Sequence, residues 1–339
     1  MEPVNKAEEV SSIAFGFMAS KALFVALHMD LFSLLSRGSL TAEELARGAD
    51  IAINRVLTVM TALTTTGLVT CEDGRYANSP GAEKFLVRGA PLDFGDYLRF
   101  QIDRQMFGFM QQLEAVVKGN LDEVAIDSYE KWMADEDEAR LYSESQHAGS
   151  LGPGATLARR VDLGEARHLL DVAGGTGGMA IRLCEANSRL KVTILDFPNV
   201  VALGKQKVRE AGLGDRISFL SGNALTTAWP DDVDAVLMSY LLSGVPEREI
   251  PELFERAFRV MQPAGLLIVH DFMVDDDRQG PALAALWQLQ HLAFTPEAAS
   301  LTPAAISQGI AAAGFGDIET FNMIPGMTRV VVSRKTGEA

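Results

Sequence analysis

Apolar positions along the first hundred residues recur at helical spacing. In SIAFGFMASKALFVALHMDLFSLLS (residues 11–35) they cover nearly the whole circumference in the middle, the pattern of a helix buried against a partner surface. SLTAEELARGADI follows, with Thr41 and Glu44 at the spacing of a capping box. INRVLTVMTALTTTGLVT reads as a helix stopped at Gly67, and LVTCEDGRYANS as two strands joined by an Asp-Gly turn. Three helices and a hairpin make a winged-helix arrangement. A DNA-reading version needs a basic recognition helix, and this one carries a single arginine, Arg55, among apolar residues.

Residues 80–160 read as helices with an acidic break, MADEDEAR. From about residue 165 the pattern changes to strands alternating with helices. The strands are HLLDV, KVTILD, RISFLSG, DAVLMSY, GLLIVHDF and TRVVVSR; VVALGKQKVREAG and IPELFERAFRVMQ are two of the helices. Such alternation predicts an α/β fold, a mostly parallel sheet with helices on both faces and a ligand at the carboxyl ends of the strands. The expected division is a helical domain over 1–105, linking helices over 106–160 that contribute to the substrate site, and a Rossmann-like domain over 161–339.

Composition adds bounds. The 339 residues are 47% hydrophobic and 22% charged, ordinary for a soluble globular protein. No apolar run approaching the ~20 residues of a membrane span stands out, and the polar start MEPVNKAEEV is unlike a secretory signal, so a cytoplasmic protein is expected. A net charge of −15 argues against nucleic acid and anionic membranes as partners. Cys71 and Cys184 read as separate reduced thiols rather than a disulfide. No His, Cys or carboxylate spacing indicates a metal, and no paired acids indicate glycosidase chemistry.

The chemistry centres on LDVAGGTGGM (Leu170 to Met179). A strand, a glycine-rich turn and the helix MAIRLCEA form a cradle in which backbone N–H groups approach a nucleotide-like ligand. Some twenty residues on, Asp196 ends the next strand, where an acid can take both ribose hydroxyls. The spacing D-V-A-G-G-T-G-G does not fit G-x-G-x-x-G, and no basic cluster for a pyrophosphate follows.

These residues resemble the small-molecule methyltransferases related to plant caffeate O-methyltransferase and hydroxyindole O-methyltransferase, which use S-adenosylmethionine (SAM). The likeness covers nearly the whole chain: the helical first domain with its hairpin, DVAGGTGG, LDFPNVV, SGNAL and LLIVHDFMVDDDRQGP. It implies that Asp171 and Gly174, Gly175, Thr176 and Gly177 hold the methionine part of the cofactor. Asp196 would bind the ribose and Phe197 border the adenine. Asn223 and Ala224 stand where the family has Asp and an apolar residue, and an amide can still donate and accept; a plain turn is the other reading of Asn223. Ser239, at the end of the fourth strand, completes the cofactor set. The first domain of the family builds a homodimer, which suits the apolar helix Ile13 to Leu35.

Most members carry a His-Asp pair after the fourth strand, and the histidine takes the proton from the substrate hydroxyl. The matching segment here is LMSYLLSGVPEREI, with Ser243 and Gly244 at those two places. A phenol of pKa ~10 attacks poorly at neutral pH without a base, and loss of a positioned base costs ~10²–10⁴-fold. A thioether sulfur has a free lone pair at every pH, so transfer to it needs alignment and exclusion of water but no base. The branch most similar to this chain comprises the bacterial S-methyltransferases of 4-methylthio-2-hydroxybutyrate in dimethylsulfoniopropionate synthesis, through SYLLSGVP, HDFMVDD and ALWQLQHLAFTPEA.

Tyr142, Gln146 and His147 are candidate cofactor or substrate contacts on one helix face. Arg99 and Arg104 are candidate carboxylate anchors. Trp287 and His291, four residues apart, either line the substrate pocket or pack the core, and His291 is the best substitute base if the acceptor is a hydroxyl. His270 fits a pocket or a core position equally; His28 and His168 read as structural. Two alternatives to thioether methylation stay open: O-methylation of a hydroxylated small molecule using His291 or an ionised substrate, and a non-catalytic SAM-fold subunit with a binding or regulatory role.

Overall fold

The computed structural model describes residues 3–124 and 126–337. The chain forms two compact units, Met1–Arg104 and Gln105–Ala339. Residues of the expected middle segment, 106–160, cluster with the sheet in the second unit.

In the first unit the long apolar stretch is three helices rather than one: α1 (Ala7–Ala14), α2 (Gly16–His28) and α3 (Leu31–Leu35). Asp30 sits in the left-handed region, φ 56°, and ends the run before α3. Strand β1 (Leu40–Thr41) leads into α4 (Ala42–Ala49), whose capping box forms as expected. Thr41 Oγ1 accepts from the Glu44 N–H at 3.2 Å, and Glu44 Oε2 accepts from the Thr41 N–H at 2.8 Å. Helix α5 (Ile53–Thr65) stops before Gly67. Strands β2 (Val69–Glu72) and β3 (Arg75–Asn78) turn at Asp73 and Gly74, both at positive φ, as a tight hairpin requires. Leu27, Phe32, Leu45, Met60 and Leu63 make the core.

The apolar stretch divides: Leu27, Leu31, Phe32 and Leu35 enter the core of the unit, while Ile13 and Phe15 are exposed (71% and 59%) on the part expected to meet a partner surface. Contrary to the expected absence of a long apolar run, Ala7–His28 is long and apolar enough to cross a membrane, with mean hydropathy 1.7 and 17% of it buried. Glu8, Glu9 and Lys21 are the charged residues within this segment, and between Glu9 and Lys21 the chain carries none.

The second unit holds a seven-stranded sheet. Its chain order runs α6 (Tyr129–Ala134), α7 (Glu136–Arg160), β4 (His168–Val172), α8 (Gly178–Ala186), β5 (Lys191–Asp196), α9 (Pro198–Glu210), β6 (Ile217–Ser221) and β7 (Val233–Ser239). Then come α10 (Ile250–Val260), β8 (Met261–Asp271), α11 (Ala282–Phe294), α12 (Pro303–Ala312), β9 (Phe315–Ile324) and β10 (Thr328–Lys335). The acidic break is the boundary between α6 and α7, where Asp135 caps α7 by accepting from the N–H groups of Asp137 and Glu138.

Strand order is β6-β5-β4-β7-β8-β10-β9. The first five run parallel; β10 pairs antiparallel with β8 and β9. β9 escapes sequence detection because, as an edge strand, it carries Asp317, Glu319, Thr320 and Asn322. The chain moves outward from β4 to β6 and then crosses to β7 on the other side of β4. That reversal opens a crevice at the carboxyl ends of β4 and β7.

Candidate active site

β4 ends at Val172, and Ala173 turns in the left-handed region, φ 57°, its N–H donating to the Leu195 carbonyl at 2.8 Å. Gly174 follows directly over the Asp171 side chain. A Cβ there would lie 2.5 Å from the Asp171 carboxyl carbon, so only glycine fits. At Gly177, φ is 87° and a Cβ would meet Ile194 Cδ1 at 2.8 Å. The turn then opens α8.

Asp196 ends β5 and accepts from the N–H groups of Gly175 (2.7 Å) and Phe197 (2.8 Å). Burial pushes its carboxyl up to about 6 against the pull of those two donors. Asp171 is pushed up further, to about 8, by burial and by the nearby Asp196 charge. Both of its carboxylate oxygens are buried without a protein partner. A cradle with an unanswered buried acid, a second acid at the strand end and a missing Cβ fits a ligand rich in donors, as the ammonium and ribose hydroxyls of SAM are.

A cavity of about 370 Å³ opens here, the size range of small-molecule sites. Gly174, Gly175, Thr176, Asp196, Phe197, Asn223 and Ala224, all expected from sequence to hold the cofactor, line it together. Asp171, Gly177 and Ser239 do not. Asp171 stands behind Gly174, Gly177 packs against Ile194, and Ser239 Oγ is bonded to His270 Nδ1 at 2.9 Å. Asn223 is both a turn residue and a wall residue: its Oδ1 accepts from the Leu225 N–H (2.9 Å) and its Nδ2 donates to Glu130 Oε2 (3.0 Å).

Of the substrate candidates, Tyr142 and Gln146 line the cavity. Gln146 Nε2 donates to Tyr142 Oη at 3.3 Å, and Tyr142 Oη lies 3.4 Å from Tyr129 Oη. Burial raises the Tyr142 phenol above its usual range. His147, one residue on, turns behind the glycine loop, where its Nδ1 meets Thr176 Oγ1 at 2.8 Å and burial lowers it to about 4. Arg99, in the first unit, is buried with its guanidinium held by Asp96 and the Leu27 carbonyl. Its donors are thus engaged in holding that unit together.

Trp287 and His291 do not line the cavity. Trp287 stacks on Phe272 with centroids 4.6 Å apart, and its Nε1 donates to His291 Nε2 at 2.8 Å. An indole N–H only donates, so Nε2 carries the lone pair and Nδ1 the proton. Burial lowers His291 to about 3. Its one lone pair is occupied by Trp287, which corrects the expectation that it could serve as substitute base. His270 is likewise buried and lowered to about 3, with its ring 4.4 Å from that of Tyr240.

Ser243 occupies the place of the family's histidine but turns away from the cavity. It is buried, and its Oγ donates to Asp271 Oδ1 at 2.7 Å while its N–H donates to Oδ2 at 3.1 Å. Gly244 does line the cavity; a Cβ there would be 2.6 Å from Tyr129 Cε2, so an aspartate has no room.

Sequence reasoning missed Tyr129, Glu130 and Met133 of α6 and Leu241, Val245, Arg248 and Glu249 after β7, all in the wall. Tyr129 packs against Trp132, Tyr142 and Phe294, with centroids 5.0–5.8 Å apart. Only the aromatic pair in SYEKWMA hinted at this cluster. Among the described residues Arg248 is the one cationic side chain in the lining, and it pairs with Glu249 (3.3 Å) and with Glu297.

Comparison with known proteins agrees with this geometry. Residues 112–316 match the O-methyltransferase domain and residues 11–88 the O-methyltransferase dimerisation domain. The chain is 28% identical over 327 residues to the 3-hydroxy-5-methyl-1-naphthoate 3-O-methyltransferase of Streptomyces sahachiroi, covering 96% of this chain and 94% of that one. It is 29% identical over 279 residues to the N,N-dimethyltransferase OxyT of Streptomyces rimosus, 81% of each. Human N-acetylserotonin methyltransferase, solved with SAM, has the same fold: TM-score 0.86 at 21% identity, over 99% of this chain and 100% of that one. With more than half of its length matched and a cradle that fits the cofactor, the chain belongs to the O-methyltransferase family with its dimerisation domain and is a SAM-dependent small-molecule methyltransferase.

Proposed function

We propose that the acceptor of this enzyme brings an atom that needs no proton removed, the thioether sulfur of a small carboxylic acid such as 4-methylthio-2-hydroxybutyrate. One observation carries the reading: among the described residues no imidazole lines the cavity, and the serine in the histidine's place is turned into a buried bond with Asp271. The acids in the wall are already engaged. Asp196 accepts two backbone N–H groups, Glu130 accepts from Asn223, and Glu249 pairs with Arg248.

Bound SAM supplies an electrophilic methyl group on a sulfonium centre. The residues of this chain then align and enclose. Tyr129, Tyr142 and Met133 offer an apolar and aromatic wall for a thioether and its methyl. Tyr rings also favour positive charge through their faces, and the product of thioether methylation is a sulfonium. Arg248 would hold the acceptor carboxylate, since a guanidinium has donors beyond the two it spends on Glu249 and Glu297.

A second reading, O-methylation of a hydroxylated aromatic, is favoured by the naphthoate O-methyltransferase among the relatives and by the ring-lined cavity. That acceptor would have to arrive ionised or surrender its proton to Glu130 or Glu249. Incubation with SAM and a panel of thioether acids, phenols and amines, scored by S-adenosylhomocysteine release, separates the two. The first reading requires turnover of thioether acids at a rate flat between about pH 6 and 9. Turnover of phenols alone, rising with their ionisation, overturns it. Cofactor binding without any turnover would revive a regulatory role. We further propose that the enzyme is a homodimer through its first unit, whose exposed Ile13, Phe15, Phe17 and Met18 a partner copy would cover.

A further inference from the structure

The amino-terminal starts of β4, β5 and β6 meet at the sheet edge opposite the methyl-transfer cavity. Strand register places His168 beside Lys191 and Thr193 beside Ser218. Alternate residues of a strand share a face, so Lys191 and Thr193 point the same way. Parallel strands flanked by helices normally carry apolar residues on both faces. These three starts instead present His, Lys, Thr and Ser.

The polar groups are joined. His168 Nε2 and Thr193 Oγ1 are 2.9 Å apart, and Thr193 Oγ1 and Ser218 Oγ are 3.3 Å apart. They line a hollow of about 630 Å³ together with Arg167, Arg189, Lys191 and Arg216. Its eleven lining residues include those four cations and one acid, Asp215. With 30 Lys and Arg in 339 residues, about one would be expected, and the chain as a whole carries −15.

Neighbouring groups answer part of this charge. Arg189 pairs with Glu165 (3.0 Å), and Arg216 Nη1 donates to the carbonyls of Asn187 and Ser188. Asp234 accepts from the backbone N–H groups of Arg167 and His168. Among the described residues, the side chains of Arg167 and Lys191 have no protein partner. Two free cations thus stand over a hydrogen-bonded row of an imidazole and two hydroxyls.

We propose that this hollow is a second small-molecule site, one that takes a compact polyphosphate anion. Guanidinium and ammonium groups beside hydroxyls suit phosphate oxygens. Three adjacent strand starts span about 10 Å, which favours a di- or triphosphate over a single phosphate. Nucleic acid is disfavoured by the overall negative charge, which repels a long polyanion beyond the reach of one hollow.

The probe is sodium tripolyphosphate, titrated calorimetrically into the full-length protein with the methyl-transfer cavity saturated by S-adenosylhomocysteine. Sodium sulfate and chloride at equal ionic strength are the controls. The expected result is saturable binding with one site and Kd of about 1 mM or tighter. The double variant Arg167→Glu/Lys191→Glu should weaken it at least tenfold while leaving S-adenosylhomocysteine affinity and Tm unchanged, since both side chains are exposed. Should that variant not fold, Arg167→Gln/Lys191→Gln tests the same contacts and should weaken binding about threefold or more. Absence of saturation up to about 10 mM, equal heats from sulfate, or undiminished binding by a folded variant overturns the proposal.

Discussion

Replacing Ser243 by Ala tests whether that residue is structural or chemical. Its hydroxyl donates at 2.7 Å to the carboxylate of Asp271, and both residues are fully buried. A hydrogen bond to a charged group contributes about 1.5–3 kcal/mol net. The backbone N–H groups of Ser243 and Phe272 still reach the carboxylate in the variant, at 3.1 and 2.8 Å. The expected loss near neutral pH is therefore about 2 kcal/mol, or roughly 4–8 °C in Tm for a unit of this size.

The loss should depend on pH in a defined direction. Burial raises Asp271 to about 6 in the folded protein. A raised acid holds a proton that the unfolded chain releases, so its contribution to stability falls as pH rises from about 4 to 6 and is level outside that window. Removing one donor to the charged form raises the acid again, by roughly one unit. The gap between variant and parent should be smallest below about pH 4 and widest above about pH 7. Urea midpoints across that range measure it. Turnover, followed by S-adenosylhomocysteine release, should stay within about threefold of the parent. A fall above roughly 100-fold at unchanged SAM affinity would refute the reasoning, because it would place Ser243 among the reacting groups.

Asp196→Ala should weaken SAM binding by about 1–3 kcal/mol, the cost of leaving ligand donors unanswered in a buried site, and calorimetric titration reads it directly; affinity within twofold of the parent would remove Asp196 from the cofactor site. Asp171→Asn tests the unanswered acid behind Gly174. Its pKa, raised to about 8, means that the cofactor-free parent should lose stability relative to the Asn variant as pH climbs from about 4 to 8, with little change beyond. Denaturant midpoints at pH 5 and 8.5 measure this, and an Asn variant that gains no stability relative to the parent between those two pH values contradicts it.

Local sequence marked most of the residues expected to hold the cofactor, and the fold brings them to one cavity. The glycine turn, Asp196, Phe197, Asn223 and Ala224 lie within a few residues of strand ends, and a strand–turn–helix repeat fixes where strand ends go. The capping box at Thr41 and the Asp-Gly hairpin were equally legible, because each is completed within a few residues of chain. Tertiary structure alone decided the acceptor end. Tyr129 reaches the cavity from a helix more than forty residues before the glycine turn, and Arg248 from a single 3-10 turn (Glu247–Glu249) more than seventy residues after it. His291 looked free to act as a base until Trp287, one helical turn away, was seen to occupy its lone pair. Ser243 could be counted into the histidine's place, but its bond to Asp271, 28 residues away, shows where its hydroxyl points. Periodicity encodes which face of an element is buried; which distant face it meets depends on packing the whole chain at once.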